Sequence, residues 1–220
     1  LNFPVYPFIR INNSRYPFYS YSIDGLYDGT YTHTSDGVSG GLGILLQNYW
    51  NTEVEYFWSL EKFLPDFSST SSSNSISSEP ISGLRLTAQL DLLDDVLLPW
   101  NGILVKGKYE NSSAELGSEN NYHLYQGEGD LYISRGRNTF RLKSYYHQGL
   151  NDLPQYLRSL PEGSQSFAGL KEYQLWGSTV AFARLEYRYK HKKDIFAHLI
   201  YNWLITAKRD ESGAETAENL

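Results

Sequence analysis

Three groups of residues in this sequence have types and spacings that could support chemistry. Residues 37–41 read Gly-Val-Ser-Gly-Gly and match the G-x-S-x-G pattern around the nucleophile of many serine hydrolases. That elbow needs a strand before it, a helix after it and a base nearby. A further strand-like run, 42–46, follows here instead. We therefore interpret residues 37–41 as a hairpin turn.

The other two groups are the five histidines and the carboxylate pair Asp94 and Asp95. The histidines do not have the spacing of metal ligands, and the two aspartates follow a strand-like run, where solvated loop residues are the default. The chain has no cysteine, which excludes disulfides and thiolate metal sites. We expect no catalytic residue, no metal and no cofactor in this chain, and we expect it not to be an enzyme.

The elements that would position such residues are extended strands. In Thr179–Lys190, "TVAFARLEYRYK", alternate residues form two unlike sets, one charged and one of alanine, leucine and tyrosine. Alternation with a period of two predicts a strand with two different faces. Similar runs recur along the chain, typically nine to twelve residues long, and we count roughly ten. No apolar stripe with a period of 3.6 residues is convincing, so the sequence predicts an all-β, antiparallel fold.

Composition narrows the class of protein further. The net charge of −6 comes from interspersed acidic and basic residues, which argues against a nucleic-acid partner. No run of 18 apolar residues exists, so a transmembrane helix is excluded and a β-barrel is the one way this chain could span a bilayer. Aromatic residues make up 15% of the chain, 19 of them tyrosine.

The connections between the predicted strands alternate in character. Residues 134–138 and 190–194 are short polar turns, whereas 67–80 is a serine-rich loop and a second long loop runs from Gln148 to about Glu172. Short turns at one end and long loops at the other are typical of outer-membrane barrels. We assign residues 1–206 to one barrel domain and 207–220 to a disordered polar tail.

The two faces can be assigned in opposite ways. In a soluble β-sandwich the apolar face packs inward and the charged face meets water. In a transmembrane barrel the apolar face meets lipid and the charged face lines a wet lumen. The long strands and the tyrosines and tryptophans on the apolar faces favour the barrel. The predicted lumen charges are Arg184, Glu186, Arg188, Glu128 and Asp130.

Two stretches carry a resemblance to a known family. Residues 90–102, "LDLLDDVLLPWNG", contain a strand-start motif of Asp91, Asp94, Pro99 and Gly102. Residues 160–190 contain Phe167, Ala168, Gly169, Leu170 and Gly177 ahead of the strand with Glu186. Together they resemble the BamA-like barrels of the outer-membrane assembly-factor superfamily, also called bacterial surface antigens. Within it the chain is most similar to the C-terminal barrel of bacterial patatin-like phospholipases, a class of autotransporter.

The resemblance implies a sixteen-stranded barrel in the bacterial outer membrane, of which this chain would be a fragment unless it closes a smaller barrel. It also implies that a loop around Phe167–Leu170 folds into the lumen, where Arg184, Glu186 and Arg188 would hold it. Assembly factors have an arginine where Ala168 stands, which favours the patatin-linked branch. The expected partners are outer-membrane lipids and a passenger domain or secreted substrate; the oligomeric state stays open.

The leading hypothesis is a translocation and anchoring barrel for a passenger of the patatin-like lipase type, with any lipase activity in that passenger. Two alternatives remain open. The chain could be a passive pore or an outer-membrane protein whose surface loops bind ligands, or it could be a soluble β-sandwich binding module.

Overall fold

The computed structural model describes residues 4–21, 27–65, 77–151, 153–154, 157, 177–192, 195–209 and 215–219. Alternating β-branched, aromatic and small residues form ten strands. They are β1 Val5–Tyr21, β2 Tyr27–Leu46, β3 Trp50–Pro65, β4 Ser77–Asp91, β5 Gly102–Ser112, β6 Tyr122–Arg135, β7 Asn138–Asn151, β8 Thr179–Lys192, β9 Ile195–Arg209 and β10 Glu215–Asn219.

The strands form one sheet in the order of the sequence, from β1 to β10, and every neighbouring pair is antiparallel. The all-β antiparallel fold that the alternation predicted is therefore confirmed. In the described part of the chain there is one sheet and not the two packed sheets of a sandwich. β1 and β10 are the two edges of this sheet.

Eight of the ten strands are longer than the predicted nine to twelve residues, and β2 reaches 20 residues; β5, with 11 residues, and β10, with 5, are the exceptions. Residues 37–41, interpreted above as a turn, lie in the middle of β2, where they pair with β1 on one side and β3 on the other. Likewise the serine-rich loop predicted over 67–80 is shorter, because β4 already begins at Ser77 and pairs there with Phe63. Pairing on both sides, which residue type alone does not reveal, overrides the turn preference of glycine and serine.

The meander places its connections alternately at two ends of the sheet. One end, which we call the short-turn end, carries 47–49, 92–101, 136–137 and 193–194. The opposite end carries the connection 113–121 and the strand ends on either side of 22–26, 66–76, 152–178 and 210–214. The strand ends that flank both predicted short turns therefore lie at one end of the sheet, and those that flank both predicted long loops lie at the other.

The register sorts the side chains onto two faces. Opposite Glu55 of β3 lie Gly41 of β2 and Arg85 of β4, and Arg85 in turn lies opposite Glu110 of β5. We call the face that contains these residues the polar face. The other side, the apolar face, carries aliphatic and aromatic side chains that are exposed to a degree unusual for a folded protein, for example Ile11 at 86%.

Helical structure within the described residues consists of the 3-10 turn Ala114–Leu116 and of Leu157, which also has a 3-10 conformation. No helix in that part of the chain is long and apolar enough to cross a membrane. The tail predicted over 207–220 contains the last residues of β9 and the whole of β10, which pairs with β9 from Glu215 to Asn219. Strand pairing thus continues past the predicted boundary at residue 206.

Candidate functional site: the polar face of the sheet

Ion pairs run across the polar face from β1 to β5. Arg10 contacts Glu53 at 2.6 Å and Glu55 at 3.3 Å, and Arg85 contacts Glu55 at 2.7 Å and Glu110 at 2.8 Å. Lys108 lies 3.0 Å from the same oxygen of Glu110. The three glutamates are buried, so each needs these cations to offset the loss of water around its charge.

Two glycines on β2 make this network possible. Gly41 and Gly43 lie between β1 and β3 on the polar face. A Cβ atom on Gly43 would collide with the ring of Tyr6, whose hydroxyl donates to Glu53 at 2.7 Å. A Cβ on Gly41 would collide with the main chain at Val54. The missing side chains let residues of β1 reach across β2 to β3.

A second network, on β6 to β9, contains three of the predicted lumen charges. The carboxylate of Glu186 lies 2.7 Å from a ring nitrogen of His198, 3.1 Å from the guanidinium of Arg184 and 3.5 Å from that of Arg141. The guanidinium of Arg141 also donates two hydrogen bonds to the carboxylate of Asp130. Glu186 thus lies among three basic side chains. Glu186 and Arg184 are both buried, and Glu186 is the centre of this network because all three basic side chains contact it.

The other two predicted charges lie apart from Glu186. Glu128 is exposed and forms a loose contact with Lys106, at 3.8 Å. Arg188 is buried and donates to the main-chain carbonyl of Pro99, and its guanidinium lies 4.8 Å from the ring centre of Trp100. The structure therefore joins Arg188 to the strand-start motif, which the sequence analysis treated as a separate feature.

The strand-start motif forms the connection 92–101 between β4 and β5. Asn101 and Trp100 donate main-chain N–H bonds to the carboxylate of Asp94 at 3.0 and 2.9 Å, and these bonds hold the pKa of Asp94 below its usual range. Asp91 accepts the N–H of Leu93. Asp91 and Asp94 therefore hold the loop in place by accepting hydrogen bonds from the loop main chain, and both aspartates have a structural role.

Gly102 closes the same connection in a conformation that suits glycine. Its φ is +119°, and a Cβ there would collide with the carbonyl oxygen of Leu92. Pro99, three residues earlier, is buried. The conformation of Gly102 explains locally why the motif needs glycine at this position.

An apolar patch interrupts the charges on the polar face. Phe57, Ile81, Tyr122 and Leu124 form a buried cluster on β3, β4 and β6, and Leu153 packs onto it. Leu153 belongs to the connection between β7 and β8, so the start of this long connection lies against the polar face.

The predicted loop motif itself falls mostly outside the described residues. Phe167, Ala168, Gly169 and Leu170 are not described, and neither is their predicted contact with the charges of β8. Gly177, the last motif residue, is described; it is buried and lies two residues before the start of β8. The role of this loop stays a prediction.

The sequence analysis missed the network on β1 to β5. Its signal was present in β3, where Glu53, Glu55 and Glu61 alternate with Val54, Tyr56 and Trp58. That alternation could have assigned the three glutamates to one face of β3. It could not have assigned Arg10 or Arg85 as partners, because they lie on other strands.

The arrangement of serine, histidine and glutamate does not form a catalytic relay. Ser39, the serine of the G-x-S-x-G match, donates to Glu55 at 2.7 Å. Ser35 donates to Glu61, and His33 contacts the other oxygen of that same carboxylate. A nucleophilic serine would instead bond to the histidine. No group of three or more metal-binding side chains lies close together in the part of the chain that the structure describes.

The opposite, apolar face is suited to lipid. Leu185 and Leu199 are 50% and 72% exposed, and they belong to a belt of aliphatic side chains on most of the strands. Aromatic residues add to this belt: Tyr56, Trp58, Tyr125, Tyr146, Tyr187, Tyr201 and Trp203. A long-stranded antiparallel sheet with an exposed apolar face and a paired, charged opposite face defines the wall of an outer-membrane β-barrel.

Comparison with known proteins gives the family. The Omp85 superfamily domain matches residues 14–196, and the chain belongs to that superfamily. Among the solved structures that match is BamA from Haemophilus ducreyi lacking POTRA domains 1–3, with a TM-score of 0.70 and 12% sequence identity. The match covers 98% of this chain and 56% of that BamA chain, so this chain spans little more than half of its length. No curated protein matches the chain.

Family and fold place this protein in the bacterial outer membrane, as an Omp85-type β-barrel. A barrel of this type is not itself an enzyme. The polar face accordingly faces the lumen, and the apolar face meets the lipid.

Proposed function

We propose that this barrel is the translocation and anchoring domain for a passenger of the patatin-like lipase type. The observation that carries the proposal is that the polar face combines paired charges with an apolar patch. Charged side chains there are paired with one another, and an apolar patch holds the start of the β7–β8 connection. Because its charges are already paired, such a wall is stable beside water and makes only transient contacts with a passing chain.

The anchoring part of the proposal rests on the apolar face. Exposed aliphatic and aromatic residues on most strands would keep the domain in the membrane while a linked passenger lies in water. Any lipase activity would then belong to that passenger and not to the barrel.

In this proposal the β7–β8 connection regulates the lumen. Leu153 fixes its start on the apolar patch. Arg184 and Glu186 would hold the part around Phe167–Leu170, near the other end of the connection. We expect this loop to restrict the lumen when no passenger is in transit.

A reporter fusion tests translocation. An epitope-tagged folded reporter would be joined ahead of β1, whose first residue, Val5, lies at the short-turn end. Surface labelling of intact cells with antibody should detect the epitope, and protease added outside should remove it. A reporter that stays protected, while the barrel itself folds in the outer membrane, would rule out the translocation role.

A second candidate, a passive pore, is favoured by two hollows on the polar face. They have volumes of about 330 and 240 Å³, and both are lined mainly by polar side chains. A pore would give steady ion conductance in planar bilayers without any passenger. A barrel restricted by its own loop should instead conduct rarely, and deletion of residues 158–176 should open it.

A further inference from the structure

Two basic hairpin turns lie side by side at the short-turn end of the sheet. The first, between β6 and β7, is the tight turn Gly136–Arg137, in which Gly136 has a φ of +64°. The second connects β8 to β9. The main-chain N–H of Lys190 donates to the carbonyl of Arg137 at 2.8 Å, so the two turns are joined directly. Their positions relative to each other are therefore fixed by the main chain.

Four basic side chains of these turns are exposed. They are Arg135 and Arg137 on the first turn and His191 and Lys192 on the second. On the polar face, by contrast, Arg10, Arg85 and Arg141 each contact two carboxylates. Among the residues that the structure describes, no carboxylate forms an ion pair with any of the four turn residues. The turns therefore present a local excess of positive charge.

The basic turns border the apolar face directly. Ile133, two residues before Arg135, is 58% exposed, and Phe140, three residues after Arg137, is 53% exposed. On the second turn the exposed Ile195 follows Lys192. The belt of apolar side chains that contacts the acyl chains therefore ends next to these basic residues. In a bilayer that boundary is the layer of the lipid phosphates.

We propose that Arg135, Arg137 and Lys192 form a binding site for the headgroup of an anionic phospholipid in the leaflet at the short-turn end. Guanidinium groups bind phosphate oxygens through paired N–H bonds, and the adjacent apolar residues contact the acyl chains of the same lipid. The site rests on the outer-membrane assignment of the fold. It is independent of the proposed translocation of a passenger.

The apolar border decides between a lipid and a free anion. Inorganic phosphate would meet the cations alone, whereas a phospholipid also covers Ile133 and Phe140, which are otherwise exposed to water or detergent. The lipid should therefore bind more tightly than phosphate at the same concentration.

The test uses the full chain folded in a zwitterionic detergent. Energy transfer from the tryptophans to dansyl-labelled phosphatidylglycerol, compared with dansyl-labelled phosphatidylcholine, reports binding. Trp100 lies near the site, since the Lys190 amine is 4.9 Å from its ring centre. Wild type should bind phosphatidylglycerol about tenfold or more tightly than phosphatidylcholine. The double variant Arg135→Gln/Arg137→Gln should lose this preference.

A matched control removes the same charge at the opposite end of the sheet. Arg15→Gln/Lys62→Gln changes an exposed basic residue on β1 and a partly exposed one on β3, where Lys62 has only a weak pair with Asp36 at 3.5 Å. This control should keep the preference for phosphatidylglycerol. Equal loss in both variants would show a general charge effect and overturn the proposed site.

Two further measurements complete the test. Lys192→Gln, on the other turn, should weaken binding by a smaller factor, and it serves if the double arginine variant does not fold. Inorganic phosphate at millimolar concentration should not displace the labelled lipid. Full displacement by phosphate would mean a bare anion site, and an unchanged preference in both turn variants would mean no site; either result overturns the proposal.

Discussion

The guanidinium of Arg188 donates a hydrogen bond to the main-chain carbonyl of Pro99, a residue 89 positions earlier in the chain. This bond connects β8 to the connection between β4 and β5 across the short-turn end of the sheet. The Arg188 guanidinium also lies against the ring of Trp100, and both Arg188 and Pro99 are buried. The two stretches that carried the family resemblance are thus joined in space.

Arg188→Gln should destabilise the barrel, because the carbonyl of Pro99 loses its buried donor. The expected loss is about 1–3 kcal/mol in the free energy of unfolding, measured by urea titration in detergent micelles. Lys190→Gln is the control, since Lys190 contacts the ring of Trp100 without donating to Pro99. Equal losses in the two variants would assign the effect to the aromatic contact alone.

Glu186→Ala should lower the temperature at which the folded barrel changes mobility on a gel. The substitution leaves Arg141, Arg184 and His198 without their shared carboxylate, and loss of one partner from a buried ion network costs about 3–5 kcal/mol. Glu128→Ala removes an exposed carboxylate with one loose contact and should change the transition little. An unchanged transition for Glu186→Ala would contradict the central role of this residue.

Gly102→Ala should destabilise the β4–β5 connection. The new methyl group would collide with the carbonyl of Leu92, and φ of +119° is a conformation that alanine rarely adopts. Gly107→Ala, on the apolar face of the same strand, has no atom within 4 Å of the added Cβ and should be neutral or slightly stabilising. Urea titration of both variants measures the difference, and similar midpoints would refute the strain.

The β4–β5 connection should weaken only in strong acid. Main-chain N–H groups lower the pKa of Asp94, through Asn101 and Trp100, and that of Asp95, through Leu98 and Leu97. A carboxyl whose folded pKa lies below its unfolded value stabilises the fold above the unfolded value, about 3.9 for aspartate. This stabilisation is lost as pH falls through the lower, folded pKa.

Amide resonances of Trp100 and Asn101 in detergent micelles report this titration. Their midpoint should lie below 3.9, and Asp94→Asn should abolish the pH response at both amides. A midpoint at or above the ordinary aspartate value would contradict the role of these hydrogen bonds.

Leu153→Ala should release the start of the β7–β8 connection from the apolar patch. Leu153 is 6% exposed and packs on a cluster that includes Phe57 and Leu124, so the loss should be about 2–5 kcal/mol. Limited proteolysis should then cut between residues 154 and 177 faster than in wild type. Leu142→Ala, on the apolar face, should leave the cleavage rate unchanged.

Alternation in the sequence predicted much of the fold. In β8 it assigned Arg184, Glu186 and Arg188 to one face and Leu185 and Tyr187 to the other, and the register agrees. It also predicted about ten antiparallel strands and an outer-membrane barrel. A period of two is a local property, because successive side chains of any strand point to opposite sides. The sequence therefore determined fold class and the two faces by itself.

The tertiary structure decided which residues meet. Arg85 bridges Glu55 and Glu110, 30 and 25 residues away, and these contacts depend on the register of three strands. The same applies to Arg188 and Pro99, and to the pairing that turned residues 37–41 from an expected turn into the centre of β2. Strand register is set by the sum of many cross-strand contacts, which no single stretch of sequence contains.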